Sequence, residues 1–553
     1  MVSKALCTIL FLAVSAACFS QTSIYHRYII EFTDKENNPY SLDNPSEYLS
    51  QRALDRRSRY SIAITSNDLP ITPGYIEQVS NTGVKILNKS KWLNSISIET
   101  DDSLALLEIK SFSFVKSAGP IAPRIASKII GKKAESVSVA EKAAGNNVID
   151  YGKSSDEIDM INGNSLHVQG FRGEGMIIAV LDVGFYNAPN LAVFDSIFTE
   201  GRVLGWWNFV KGTDSVFYDG THGTAVLSTI AANIPGTMVG TAPDASFYLF
   251  ESEDNNSEYP IEEHNWAAAA ERADSIGVDI ITSSLGYSRF DDPLFNHSYS
   301  DMDGNTTMVS RAADFAASKG MIVCSSAGNE GNSDWYYITA PADADSILTV
   351  GAVDSIGVNT VFSSHGPSAD GDIKPNVVAQ GLRTTVVEPF SGAIVTSNGT
   401  SFSNPIIAGM TACLWQAHQD KNNMEIIQAI EKSSSLYYTP NDSMGYGIPN
   451  FQVADLLLSE KAPANLPFSD PLVYPNPFSD TFGILYYSSD EQQLQGRFFN
   501  MLGEEIQSFK SPLQIGYNFL SIDHLNKFPI GIYFLKIEIG DQSQTTKMIK
   551  VSH

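Results

Sequence analysis

Cysteine is scarce in this chain, with Cys7, Cys18, Cys324 and Cys413 the whole supply in 553 residues. The first two fall in an N-terminal apolar segment, which leaves one pair and excludes a disulfide-built scaffold. Cys324 sits in an apolar run and Cys413 in a helical pattern, so both read as small buried hydrophobes. Spacing does not place their sulfurs, and a bond between them stays open. Beyond Ser20 no apolar run is long enough to cross a bilayer, so no transmembrane segment is expected. Positive charge is also short: 36 Lys and Arg stand against 62 Asp and Glu, a net charge of -26. That balance argues against a nucleic-acid partner and against general attraction to anionic lipid. It fits a dispersed, soluble protein. No internal repeat is visible. The glycine-rich stretch Gly170 to Gly175 precedes a strand instead of following one, so it reads as a turn and not a dinucleotide loop. Asp301-Met302-Asp303-Gly304-Asn305 lacks the downstream acidic ligand of a calcium loop and reads as a surface turn.

What is present is apolar content of 43%, ordinary for a globular protein, and length for about three or four domains. Residues 1–20 form a secretory signal: Lys4, an apolar run from Ala5 to Ala17, then small residues, with cleavage after Ser20. Lipid attachment at Cys18 is the alternative. Residues 21–126 read as a small α+β module with a strand at Tyr28 to Phe32, a basic helix from Pro45 to Arg59 and period-two alternation from Trp92 to Thr100. The arginines of that helix (Arg52, Arg56, Arg57, Arg59) read as a solvated face. Residues 127–150, rich in Lys, Ala, Glu, Ser and Gly, are an exposed linker open to proteolysis.

From 151 to 458 short apolar runs alternate with helical stretches. Met176 to Leu181, Asp279 to Ile281 and Gly320 to Cys324 are buried strands, and Trp266 to Ser275 and Val309 to Ser318 are helices. This rhythm predicts an α/β fold, a parallel sheet with helices on both faces, whose site gathers at the C-terminal ends of the strands. Residues 459–471 hold three prolines and form a second linker. Residues 472–553 carry closely spaced short strands and turns such as Met501-Leu502-Gly503, a small β-sandwich.

Four residues carry the chemistry. Ser401, in Asn398-Gly399-Thr400-Ser401-Phe402-Ser403-Asn404-Pro405, is delivered by a glycine turn to a helix start, with Pro405 expected in the first turn. Asp182 follows the strand Met176 to Leu181. His222 stands between Gly220 and Gly223, where backbone can approach closely, and Asn329 lies between Gly328 and Gly331. Each alone reads equally well as a cap, a packing residue or a turn. Together they supply a nucleophile, a base, a carboxylate to hold the base's tautomer, and a neutral donor for a developing oxyanion.

These motifs resemble those of subtilisin-like serine proteases, the subtilases. The carriers are Val180-Leu181-Asp182-Val183-Gly184, His222-Gly223-Thr224, Ala327-Gly328-Asn329 and Gly399-Thr400-Ser401 with Pro405. The resemblance implies a secreted serine endopeptidase acting on protein or peptide substrates, with no cofactor needed for the chemistry. Structural calcium occurs in the family but has no located site here. Ser284, Leu285, Gly286, Ser326, Ala327 and Gly328 would line the groove, where a substrate pairs as an added strand. Val183, Ala225 and Phe402-Ser403-Asn404 depart from the common pattern and leave substrate preference open. By position and α+β character the first module resembles a subtilase propeptide, a folding aid and inhibitor of its own enzyme. The tail resembles the sorting domain of proteins exported by the type IX secretion machinery, through Val473-Tyr474-Pro475-Asn476-Pro477-Phe478, Gly531 to Lys536 and Lys547 to Val551. It implies Sec export and outer-membrane translocation to the surface or medium. Two other readings stay open: a binding protein on an inactive subtilase fold, and a protease that matures only itself or co-exported neighbours.

Overall fold

The computed structural model describes residues 25–123, 149–437, 439–459, 471–474, 476–488, 490–540 and 542–551. The signal expected at 1–20 and almost all of both expected linkers lie outside the described residues. Among the described residues no helix is long and apolar enough to cross a membrane.

The first module is a four-stranded antiparallel sheet. Strand β1 (Arg27–Phe32) lies between β3 (Ser95–Glu99) and β4 (Val115–Ala122), and β2 (Lys85–Ser90) flanks β3. Helices α2 (Pro73–Asn81) and α3 (Ser103–Ser111) close one face over Ile30, Phe32, Ile96 and Ile98. The alternation read in β3 is real, yet its serine side is buried as well. Ser95 reaches His264, so the polar face is an interface and not a solvent surface. Helix α1 (Gln51–Arg59), N-capped by Ser50, corrects the sequence reading: Arg56 and Arg57 are buried. Both bind Asp274, more than two hundred positions away and beyond the reach of a local charge count.

The peptidase-like region is built on seven parallel strands: β5 (Ile177–Asp182), β6 (Val203–Asn208), β7 (Ser246–Glu251), β8 (Ile280–Ser283), β9 (Ile322–Ser326), β10 (Leu348–Val353) and β11 (Val377–Gln380). They run in the order β11-β10-β9-β8-β5-β7-β6. Alternate residues of β5 serve two cores. Ile178 and Val180 pack with α4 (His222–Ala231) and α7 (Thr400–Ala417). Ala179 and Leu181 pack with α5 (Ile261–Ile276) and α6 (Met308–Ser318). Burial on both faces is why these strands read as continuous apolar runs. Helix α5 starts five residues before the predicted Trp266, because its first turns carry Glu262, Glu263 and His264. All three are buried, and His264 meets Ser95 of the first module.

The C-terminal region forms two antiparallel sheets facing one core. One holds β12 (Leu472–Tyr474), β13 (Phe482–Ser488) and β16 (Gly516–Ile522); the other holds β14 (Gln492–Phe499), β15 (Glu505–Leu513), β17 (Gly531–Ile539) and β18 (Gln542–Lys550). Phe478, Phe482, Ile484, Phe498, Leu535 and Met548 fill the space between them, as a sandwich requires. Cys324 and Cys413 are buried and unbonded, and burial pushes both thiols up.

Candidate active site

Asp182 is the last residue of β5 and has no exposed surface. Its Oδ1 accepts the Val183 N–H at 2.8 Å and lies 2.8 Å from His222 Nδ1. His222 opens α4, and two backbone passes bring it there. A β-carbon on Gly220 (φ 70°) would stand 2.0 Å from the Val183 carbonyl oxygen, and one on Gly223 would stand 2.5 Å from that of Gly184. Only glycine allows the chain to cross itself so closely. The His222 ring lies beside Phe402, centroids 5.8 Å apart, which brings the imidazole next to the residue that follows Ser401. Phe402 is one of the departures noted in the sequence, and its packing against the imidazole was not legible there.

Ser401 is the second residue of α7, after Gly399 at φ 144°. The expectation for Pro405 is corrected: it lies inside the helix, not in its first turn. Proline has no N–H to give to the carbonyl four residues back, which is that of Ser401. The Ser284 hydroxyl donates to that carbonyl instead, at 2.8 Å. Asn404, one turn on, donates to Thr282 Oγ1 and the Ser283 carbonyl. The start of α7 is therefore tied to the end of β8 by side chains. Ser284→Ala should leave a buried carbonyl unsatisfied and destabilise the protein by about 1–3 kcal/mol in denaturant unfolding. An unchanged midpoint would show that the bond contributes nothing.

Asn329 follows β9. Its Oδ1 accepts both the N–H and the hydroxyl of Thr400, at 2.9 and 3.1 Å, which leaves Nδ2 to donate elsewhere. The point where a β-carbon would stand on Gly399 is 3.6 Å from Asn329 Nδ2 and 3.6 Å from Ser401 N. Asn329 Nδ2 and Ser401 N are thus near neighbours, with Asn329 Oδ1 also 3.7 Å from that point. The groove segments differ from each other. Among the described residues no hydrogen bond engages the N–H or C=O of Leu285 or Gly286, which leaves a strand edge open. Ala327 spends its N–H on Val350 and its C=O on Thr339, while the Gly328 C=O accepts from Ser364. Ser326 ends β9, buried.

Burial pulls the His222 imidazole down, but the charge of Asp182 and its hydrogen bond outweigh this and hold it above the usual histidine value. The loop after β7 lies alongside, tied by the Ser252 N–H to the Asp182 carbonyl. Burial, then the Asp219 charge, pushes Glu251 up to about 8. Among the described residues, two carboxylate groups bring ligand atoms within 4.8 Å of one another, Glu253–Glu258–Glu262 and Asp345–Asp370–Asp372. In the first, burial and then the charges of neighbouring carboxylates push the carboxyls up, and Glu262 already accepts the N–H groups of Asp254 and Tyr259. The second is exposed.

Fold and site together define a serine peptidase on a parallel α/β sheet. Comparison with known proteins narrows this. Residues 173–447 match the model of the subtilase family, 27–138 that of the peptidase S8 propeptide domain of Bacteroidota, and 472–551 that of a secretion system C-terminal sorting domain. Subtilisin E of Bacillus subtilis (strain 168) is 30% identical over 350 residues, 62% of this chain and 82% of that protein. Subtilisin of Bacillus pumilus is 30% identical over 301 residues, 54% of this chain and 97% of that one. Among solved structures, the MycP3 protease of the type VII (ESX-3) secretion system aligns at 20% identity over 55% of this chain and 89% of that chain, with a TM-score of 0.43. The chain belongs to the subtilase family. It is a serine peptidase made with a propeptide and a secretion sorting domain.

Proposed function

We propose that this protein is an exported serine endopeptidase, made as a zymogen, in which Asp182, His222 and Ser401 form the catalytic triad. The observation that carries this reading is the 2.8 Å contact between Asp182 Oδ1 and His222 Nδ1 at the head of α4. Ser401 Oγ attacks the scissile carbonyl while His222 Nε2 takes its proton, and Asp182 holds the tautomer with hydrogen on Nδ1. The carbonyl oxygen, now negative, receives hydrogen bonds from Asn329 Nδ2 and the Ser401 N–H, the two donors beside Gly399. His222 then gives the proton to the leaving amine. Water, deprotonated by His222, releases the acyl group and restores Ser401. The substrate pairs along the open backbone of Leu285–Gly286, next to Ser284, while Ser326, Ala327 and Gly328 line the opposite wall of the groove.

Asn329→Ala tests the oxyanion assignment. It should lower kcat about 10²–10³-fold with KM nearly unchanged, because the donor acts only when charge develops. A rise in KM at constant kcat would place Asn329 in ground-state binding instead.

The proposed units are 1–20 as signal, 21–126 as propeptide, 127–150 as the linker cut on maturation, 151–458 as peptidase, 459–471 as a second linker and 472–553 as sorting domain. Its route is the type IX machinery, ending at the cell surface or in the medium.

A further inference from the structure

Glu157 has no part in the chemistry above, yet it is buried with one oxygen unsatisfied. It lies on the short helix Ser155–Met160 and is 4% exposed. Its Oε1 accepts the Thr385 N–H at 2.6 Å. Among the described residues no donor reaches Oε2. Burial pushes the carboxyl up, and the Thr385 N–H pulls it back only in part. Gln380, the last residue of β11, is 3% exposed and is left the same way. Its Nε2 donates to the Leu382 carbonyl at 3.5 Å, which sets the amide's orientation, and no donor among the described residues reaches Oε1. Buried acceptors without partners are costly, and these two call for a donor from elsewhere.

Both residues line one cavity of about 530 Å³. Lys153, Asp156 and Arg383, all exposed, and the half-buried Asp354 line it too. Three carboxylates and two cations thus share the lining, and the Lys153 ammonium is turned to the Ile394 carbonyl at 3.3 Å. The cavity lies at the catalytic end of the sheet. Asp354 follows β10 and Gln380 ends β11, two strands beyond β9 and Asn329, about 10 Å across the sheet. Its wall is joined to the segment that leads to Ser401. The Arg383 N–H donates to Asn398 Oδ1 at 2.8 Å, and Thr385 pairs in register with Thr396.

We propose that this cavity receives a basic side chain of the protein substrate, whose ammonium or guanidinium donates to Glu157 Oε2 and Gln380 Oε1 while the scissile bond lies in the groove. The proposal rests on the peptidase reading above. The donor set decides the ligand. Calcium takes about six to eight oxygens, and among the described residues Glu157 belongs to no cluster of three acidic, histidine or cysteine ligands. An N–H donor needs only the two acceptors, and a carboxylate beside an amide oxygen matches the fork of arginine or the tip of lysine. Both oxygens lie just beneath the cavity surface, so entry turns aside an exposed side chain such as Lys153 or Arg383. At about 3.3 Å per extended residue, the cavity is reached from a position about three or more residues from the scissile bond.

Two measurements test this. Agmatine, a guanidinium on a short aliphatic amine, is titrated by calorimetry into the full chain carrying Ser401→Ala, so that binding does not depend on turnover. It should bind, and Glu157→Gln, which keeps an acceptor for the Thr385 N–H, should weaken it about tenfold or more. Thr396→Arg, at an exposed position of the lining, should fill the cavity with a tethered guanidinium and abolish binding. No binding to the parent, or binding unchanged in both variants, overturns the proposal. The second measurement follows the active enzyme on paired peptides that differ by one arginine or glutamine, about three to six residues from the cut on either side. At one such position arginine should lower KM about tenfold at constant kcat, and Glu157→Gln should remove that advantage. Agmatine binding without the advantage assigns the cavity to a free amine and overturns the substrate assignment. Peptides all cleaved equally leave the peptidase reading standing. Peptides not cleaved at all sink that reading, and the titration alone then judges the cavity.

Discussion

Ser401→Ala is expected to abolish turnover of added protein, with kcat falling on the order of 10⁶-fold, because alanine has no oxygen to form the acyl bond. The fold should survive the change. What ties Ser401 into the structure is its backbone carbonyl, which accepts the Ser284 hydroxyl at 2.8 Å, and alanine keeps that carbonyl. The variant should also remain full length, since the cut within 127–150 is expected to be the enzyme's own. Casein degradation and intact mass measured side by side give both answers. A wild type that shortens and degrades casein, beside a variant that does neither, supports the nucleophile and the propeptide boundary together. A folded variant of equal activity removes Ser401 from the mechanism. A wild type that cuts itself but not casein is a protease confined to its own maturation. A folded wild type that neither shortens itself nor degrades casein is a binding protein on a subtilase fold.

The candidate site was legible because it sits where two simple rules meet. Apolar runs mark the strands, and the residues just past them, Asp182, Ser284 and Asn329, face the catalytic end of the sheet. The glycines around His222 announced close approach, and Gly220 and Gly223 provide it, while Gly399 makes the expected turn into Ser401 at φ 144°. Strands with weaker signals were not read. Val203–Asn208 carries two tryptophans and an asparagine at the sheet edge, and Leu348–Val353 is interrupted by Thr349 and Gly351. The propeptide contact was invisible for a different reason. A serine-faced strand and an arginine-rich helix look solvated until a partner surface, remote in sequence, covers them. Local patterning reports that a face is polar, and only the tertiary fold reports what it is polar towards. Pro405 shows the same limit. The sequence could say that a proline tolerates a helix start, but not that its missing N–H would be replaced by Ser284.

Asp182→Asn should lower kcat about 10⁴-fold without disturbing the site's geometry. The amide keeps the size of the carboxylate but can offer a donor to His222 Nδ1. That places the imidazole hydrogen on Nε2, the atom that must receive the Ser401 proton. The variant also carries a pH signature. In the wild type Asp182 holds His222 above its usual value near 6.5 against the pull of burial. Only the neutral imidazole accepts a proton, so the acid limb of kcat/KM should lie above about pH 6.5. With the charge gone, burial acts unopposed and the limb should move to lower pH. Stability follows the opposite sign. A histidine whose folded value is raised stabilises the fold fully below its unfolded value and loses that contribution as pH rises through the folded one. The Tm difference between wild type and variant should therefore widen as pH falls from 8.5 to 6. Steady-state rates and thermal unfolding over that range test both signs. A variant that loses kcat yet keeps the wild-type limb would assign the limb to another group. Glu251 is the candidate the structure offers, 3% exposed, pushed up to about 8 and paired in register with Asp182 on the neighbouring strand.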